Sequence, residues 1–263
     1  THGAASPQDP SSNADGDMAS EAPAEDSGGA SEGERSRTVE EGDIYRLVNS
    51  SLLVNLNSYR GVQLIDITNV DSPKIIGGVR VSGYPVELYV DGDRVYVLMN
   101  NWRGYYGSRY DSRVNQRQGG VILALDISDR TAPEIVDQSF IPGTIQTSRL
   151  TKGGGGAALY VVASGWNLQE ETTSPNEADS ITTDVGPSSN RASTVVKSFN
   201  ISNGTLIAQS QLDLGGYVSD IQATTETLMV ARNRWYNAEW DEDDYNSRVS
   251  LVDISDPSGV MVE

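Results

Sequence analysis

The chain has 263 residues, a formal net charge of −18, a single histidine and no cysteine. Disulfide staples are excluded, and Cys- or His-based nucleophilic catalysis and the usual zinc sites lack their ligands beyond His2. The acidic balance argues against nucleic acid as a partner, and no apolar run of about 20 residues is present to form a transmembrane helix.

From the N-terminus, residues 1–41 form an acidic low-complexity tail: the first 43 residues hold eleven Asp or Glu against two Arg. Such a segment has too little apolar surface to offset its chain entropy, so it is expected to be disordered, with no strand before Ile44. The chain begins at Thr1 without an initiator Met or a signal-type apolar region. A polar tether of this kind leads to the expectation of a secreted, periplasmic or cell-surface protein, with a possible lipid anchor upstream.

From residue 42 onward a repeat takes over. An apolar run ends in Asp-Ile-Thr at Asp66, Asp-Ile-Ser at Asp126, Asn-Ile-Ser at Asn200 and Asp-Ile-Ser at Asp253. Proline follows three of the four copies, at Pro73, Pro133 and Pro257. Upstream of each motif lies a second marker, an apolar strand closing on an aromatic: 52–59 on Tyr59, 95–102 on Trp102, 159–166 on Trp166 and 228–235 on Trp235. Between marker and motif the second unit carries 17 residues more than the first and the third 27 more, with four more in the glycine-rich 152–156. Set aside, these insertions leave a period of 42 or 43 residues.

A period near 40–45 residues with several short strands per unit is the mark of a β-propeller, whose blades cannot bury their faces alone. Four strands a to d fit each unit; in the second they fall at 86–90, 94–99, 121–127 and 134–140. Strand b there, Val95-Tyr96-Val97-Leu98-Met99, is apolar on both sides of its pleat and so belongs between two neighbouring sheets. The expected fold is all-β, with blades at 42–83, 84–142, 143–215 and 216–263. The last lacks its d strand. That gap leads to the expectation of a piece of a ring of six to eight blades, the alternative being a compact four-bladed ring.

The pattern Gly-Val-x-x-Ile-Asp-Ile-Thr/Ser followed by Pro resembles the LVIVD repeat and related secreted β-propellers of bacteria and archaea, over residues 42–263. The third unit departs most, with Phe199-Asn200-Ile201-Ser202 and with Gly204 near the place of the proline. The resemblance implies architecture and no particular activity.

No cofactor site and no metal site stand out. The run Asp241-Glu242-Asp243-Asp244 lacks the glycine of a calcium loop, and the question of calcium there stays open. The recurring Asp66, Asp126 and Asp253 read as carboxylates accepting turn hydrogen bonds. The large insertions all enter the b–c connection, hence one face. They bring Tyr105, Tyr106, Arg109 and Tyr110 from the second unit and Tyr236 and Trp240 from the fourth, beside Trp102 and Trp235. Tyr, Trp and Arg dominate binding hot spots. For the tryptophans the competing role is to close the end of a blade. The expectation is a non-catalytic module binding a protein or glycan through these loops; the alternative is a propeller hydrolase, such as a glycosidase, working with carboxylates.

Overall fold

The computed structural model describes residues 37–106, 113–116, 119–166, 192–233 and 247–262, and these are built from β-strands alone. They begin with β1 (Thr38–Glu41). A first antiparallel sheet follows, ordered β2 (Tyr45–Val48), β3 (Leu52–Asn57), β4 (Gly61–Asp66) and β5 (Lys74–Val79). The second is β6 (Ser82–Asp91), β7 (Arg94–Tyr106), β9 (Gly120–Asp126) and β10 (Glu134–Ile141), with β8 (Arg113–Gln116) paired to the far end of β7. The third is β11 (Thr144–Gly153), β12 (Gly156–Trp166), β13 (Ala192–Asn200) and β14 (Ile207–Gly215). The fourth is β15 (Tyr217–Ala223), β16 (Thr227–Asn233) and β17 (Arg248–Asp253). The strands expected in the second unit fall on β6, β7, β9 and β10.

Consecutive sheets pack face to face through dry clusters. Leu52, Val54, Leu56, Val62 and Leu64 of the first meet Val95, Val97, Met99 and Leu123 of the second. On the other side of the same strands, Tyr96, Leu98, Ile122 and Ala124 meet Leu159, Val161 and Ala163 of the third. Tyr160, Val162 and Val196 then meet Leu228, Val230 and Val252 of the fourth. Each fully buried aliphatic side chain contributes about 1.5–3 kcal/mol, so the second and third sheets, covered on both faces, hold most of the core.

The repeat motif ends each third strand by a local device. Asp66 Oδ1 accepts the Thr68 N–H and hydroxyl at 2.9 and 2.6 Å; Asp126, Asn200 and Asp253 accept the N–H of Ser128, Ser202 and Ser255 at 2.8, 2.9 and 2.8 Å. Three residues later the device repeats: Asn69, Asp129, Asn203 and Asp256 accept N–H groups from Asp71, Thr131, Thr205 and Ser258. Two stacked turns of this kind reverse the chain without leaving these backbone donors unpaired. The motif isoleucines Ile127, Ile201 and Ile254 are buried. The carbonyls of the latter two accept the hydroxyls of Tyr96 and Tyr160 from the preceding sheet, at 3.2 and 3.4 Å. Burial pushes Tyr96 up to about 12, so its hydroxyl stays a donor.

The register corrects the alignment built on the aromatics. Paired with the motif Asp or Asn are Arg94, Ala158 and Thr227 in the later sheets, but Leu52 in the first. Leu53, not Leu52, therefore matches Val95. A slip of one residue exchanges the two faces of a strand. It arises because Tyr59 sits between β3 and β4 in a turn of residues 58–60, 96% exposed, whereas Trp102 lies inside β7.

A second correction concerns residues 37–41, which composition placed in the disordered tail. They pair with the third sheet: β1 lies antiparallel to β11, with Glu40 opposite Leu150. The carboxylates that made the segment look unstructured are matched by basic residues of β11, Glu41 to Arg149 and Glu40 to Lys152, both at 3.2 Å. Arg37 donates to the carbonyls of Thr225, Ile254 and Ser255 and to the Thr151 hydroxyl, tying β11 to the fourth sheet. Residues 1–36 lie outside the described residues.

Candidate functional site

In every sheet the connection between the second and third strands leaves from the same end, because the sheets share one strand order. The first sheet spends only residues 58–60 on it; the others spend the long segments after β7, β12 and β16. After the main body of the second sheet, β7 runs on and pairs with β8, Arg103 opposite Gln116 through Tyr106 opposite Arg113. The insertion thus begins as a two-stranded stem that continues the sheet.

The base of this stem is pinned to its neighbour. Asn100 donates from Nδ2 to the Ile145 carbonyl and accepts the Ile145 N–H on Oδ1, both at 2.8 Å. At the matching place in the third sheet, Ser164 accepts the Val218 N–H at 3.2 Å, and the Thr194 hydroxyl donates to the Gly216 carbonyl at 2.9 Å. In both, a polar side chain at the end of the sheet body captures the first strand of the next sheet. Sequence reasoning missed these residues; the signal was a polar residue ending an otherwise apolar strand.

Trp102, expected among the binding aromatics, is buried. It is 7% exposed, its ring centroid 5.8 Å from that of Phe140, and it joins the cluster between the first and second sheets. The role it fills is the competing one, closing the end of a sheet. Tyr105 and Tyr106 lie on the stem part of β7. Arg109, Tyr110, Trp235, Tyr236 and Trp240 lie outside the described residues, as does the acidic run at 241–244.

Away from this end, the first strands of the second and third sheets share a polar cluster. Glu87 accepts the Thr147 hydroxyl at 3.0 Å and the Ser148 hydroxyl; Ser148 also lies 2.9 Å from the Tyr89 hydroxyl. Burial lifts the Glu87 carboxyl above the usual carboxylate range, while Ser148 and Thr147 pull it back. Arg149 completes the group, donating to the Thr147 hydroxyl, the Ser148 carbonyl and the Ile221 carbonyl. Ser148 is fully buried with its bonds taken by Glu87 and Tyr89, so the cluster joins three sheets instead of presenting a nucleophile. Among the described residues no three His, Cys, Asp or Glu side chains gather as a metal site, and no helix is long and apolar enough to cross a membrane.

Four antiparallel sheets stacked in chain order, with one recurrent turn and all long connections at one end, are a propeller's blades. A family model described as a β-propeller domain matches residues 35–262. The chain belongs to the β-propeller domain family. A comparison with curated proteins finds no match. The match starts at Arg35, two residues before the Arg37 anchor, so the family's extent takes in the propeller's N-terminal strand β1 as well as its sheets.

Proposed function

We propose that this propeller, of the LVIVD-repeat kind, is a non-catalytic secreted or cell-surface recognition module that takes a protein or glycan on the face bearing the b–c connections. One observation carries the reading: long segments leave three blades from one end, side-chain hydrogen bonds hold the base fixed in the second and third of them, and in the second the segment starts as a β-stem. A rigid frame with long loops at one rim is how repeat folds display recognition residues. Aromatic and arginine side chains on such loops suit a flat sugar ring or a peptide, giving contact area at little entropic cost.

The test is a screen of the chain on glycan and peptide arrays, repeated with Tyr105, Tyr106 and Trp240 together changed to Ser. Binding is expected to fall at least tenfold while the melting temperature moves by less than about 2 °C, because residues beyond the sheet body carry contacts but little core. Asp93→Ser, in the a–b hairpin at the opposite end, should leave binding unchanged. Loss of binding with Asp93→Ser but not with the triple change would refute the reading.

A further inference from the structure

The third sheet carries one strand more on its inner edge than its neighbours do. On the open side of β11 lies β1, and among the described residues no other first strand has a further strand added at its edge. β1 belongs to a short segment, residues 37–43, that is fixed at both ends. Arg37 donates to the carbonyls of Thr225, Ile254 and Ser255 in the fourth sheet's turns, and at the other end the Asp43 carbonyl accepts the Leu88 N–H of β6 at 2.6 Å. What holds the segment is polar. None of residues 37–43 joins an apolar cluster between sheets, and elements without buried apolar contacts are the first to open.

We propose that the edge of β11 is a binding site for an extended acidic segment of a partner protein, and that residues 37–43 occupy it in cis as a strap which that segment displaces. The site is separate from the face of the b–c connections. Strand addition supplies backbone hydrogen bonds, and the side chains along the edge supply the choice of strand. Here they choose acid: the strap sets Glu41 on Arg149 and Glu40 on Lys152. Both cations are positioned by the propeller itself. Arg149 donates to the Thr147 hydroxyl and to the carbonyls of Ser148 and Ile221, and Lys152 donates to the Val90 carbonyl and pairs with Asp91. They stay in place when the strap's carboxylates withdraw, so the site is preorganised for another acidic strand. From the other side Arg46 of β2 donates to the Glu41 carbonyl. Counted from the motif, the place of Arg149 is held in β6 and β15 by Tyr89 and Gln222, which carry no positive charge. The ion pairs of the strap are reached by water, hence screened by salt and open to competition.

The experiment titrates the full chain into a dye-labelled peptide with the sequence of residues 37–41 and reads fluorescence anisotropy. Two variants loosen the strap without touching β11. A Cβ at Gly42 would lie 2.5 Å from the Glu87 Cβ, so Gly42→Ala pushes the strap off β6, while Arg37→Lys keeps the charge but lacks the fork that reaches several carbonyls at once. Each variant is expected to bind the peptide about tenfold more tightly than the wild type, because less of the edge is already taken. A peptide with Gln in place of both Glu residues should bind about tenfold more weakly, and high salt should narrow that gap. Hydrogen exchange on the wild-type chain covers the case in which a variant fails to fold: the amides of β1 should exchange far faster than those of β12. Exchange of β1 as slow as that of β12 overturns the proposal, since the strap would then open only with the whole domain. Equal binding by wild type and folded variants, no binding by any of them, or equal binding of the Glu and Gln peptides overturns it too. Dimers formed by the loosened variants in place of a peptide complex would assign the edge to a second copy of the chain and likewise refute it.

Discussion

The first and second sheets carry the same motif, the same strand order and the same paired turns, yet they bury their strands differently. From Gly120 to Leu125 every residue of β9 is buried, whereas in β4 burial gives way to partial exposure at Gln63 and Ile65. The backbone is the same; the neighbours differ. The second sheet has sheets on both sides, and its third strand reads as a continuous apolar run; among the described residues the first is packed on one side, and its second strand alternates, Leu53-Val54-Asn55-Leu56-Asn57. Whether a strand alternates is thus a statement about position in the stack.

The hardest blow to that comparison comes at Leu123 and Gln63, which hold the same place relative to the motif. Leu123→Asp removes a buried side chain and leaves an unpaired charge between sheets, costing more than about 4 kcal/mol; the domain should unfold or become insoluble. Gln63→Asp should fold normally. Soluble, stable Leu123→Asp protein would show that β9 is not sandwiched, and circular dichroism with thermal melting decides between them.

A finer test exchanges residues between the sheets. Val97 and Asn55 are equivalent by register, one buried between sheets and one on the outer face. Val97→Asn should cost roughly 3 kcal/mol by burying an amide without a partner, lowering the melting temperature by about 6–12 °C for a domain of this size. Asn55→Val should stay within about 0.5 kcal/mol of wild type, as surface changes do. Equal losses from both would mean that the outer face of the first sheet is also covered.

Much of this architecture is legible in the sequence, for a physical reason: period, alternation and turn residues are local, and the fold repeats them. What was not legible depends on distant partners. The strand at residues 38–41 reads as tail because its carboxylates are counted alone, while Arg149 and Lys152, which neutralise them, lie over a hundred residues away. The one-residue slip in the first unit was hidden because Tyr59 imitates the spacing of Trp102 from a turn. The second Asx turn, at Asn69, Asp129, Asn203 and Asp256, was visible as a period of its own and went unread. At the loop face the sequence offered a choice for Trp102 that only packing could make, since an aromatic ending a strand can cap a core or meet a ligand.

The smallest expected effect separates the sheets at the motif itself. Both aspartates are held below the usual carboxylate range: Asp66 by the Thr68 hydroxyl and N–H, and Asp126, down to about 2, by the Ser128 hydroxyl and N–H and then by Arg94, which forms an ion pair with it. In the first sheet Leu52 stands where Arg94 stands in the second. A depressed pKa in the folded state means that the stabilisation is complete above the unfolded aspartate value near about 3.9 and is lost as pH falls toward 2. Asp126→Asn should therefore flatten the fall in melting temperature between pH 4 and 2 more than Asp66→Asn does. High salt should erase part of the difference, because the Arg94 pair is partly exposed and screened while the turn hydrogen bonds are not. Melting curves for the two variants at several pH values and two salt concentrations give the answer. If Asp66→Asn flattens the curve as much as Asp126→Asn, the arginine adds nothing and the turn alone sets the carboxylate in both sheets.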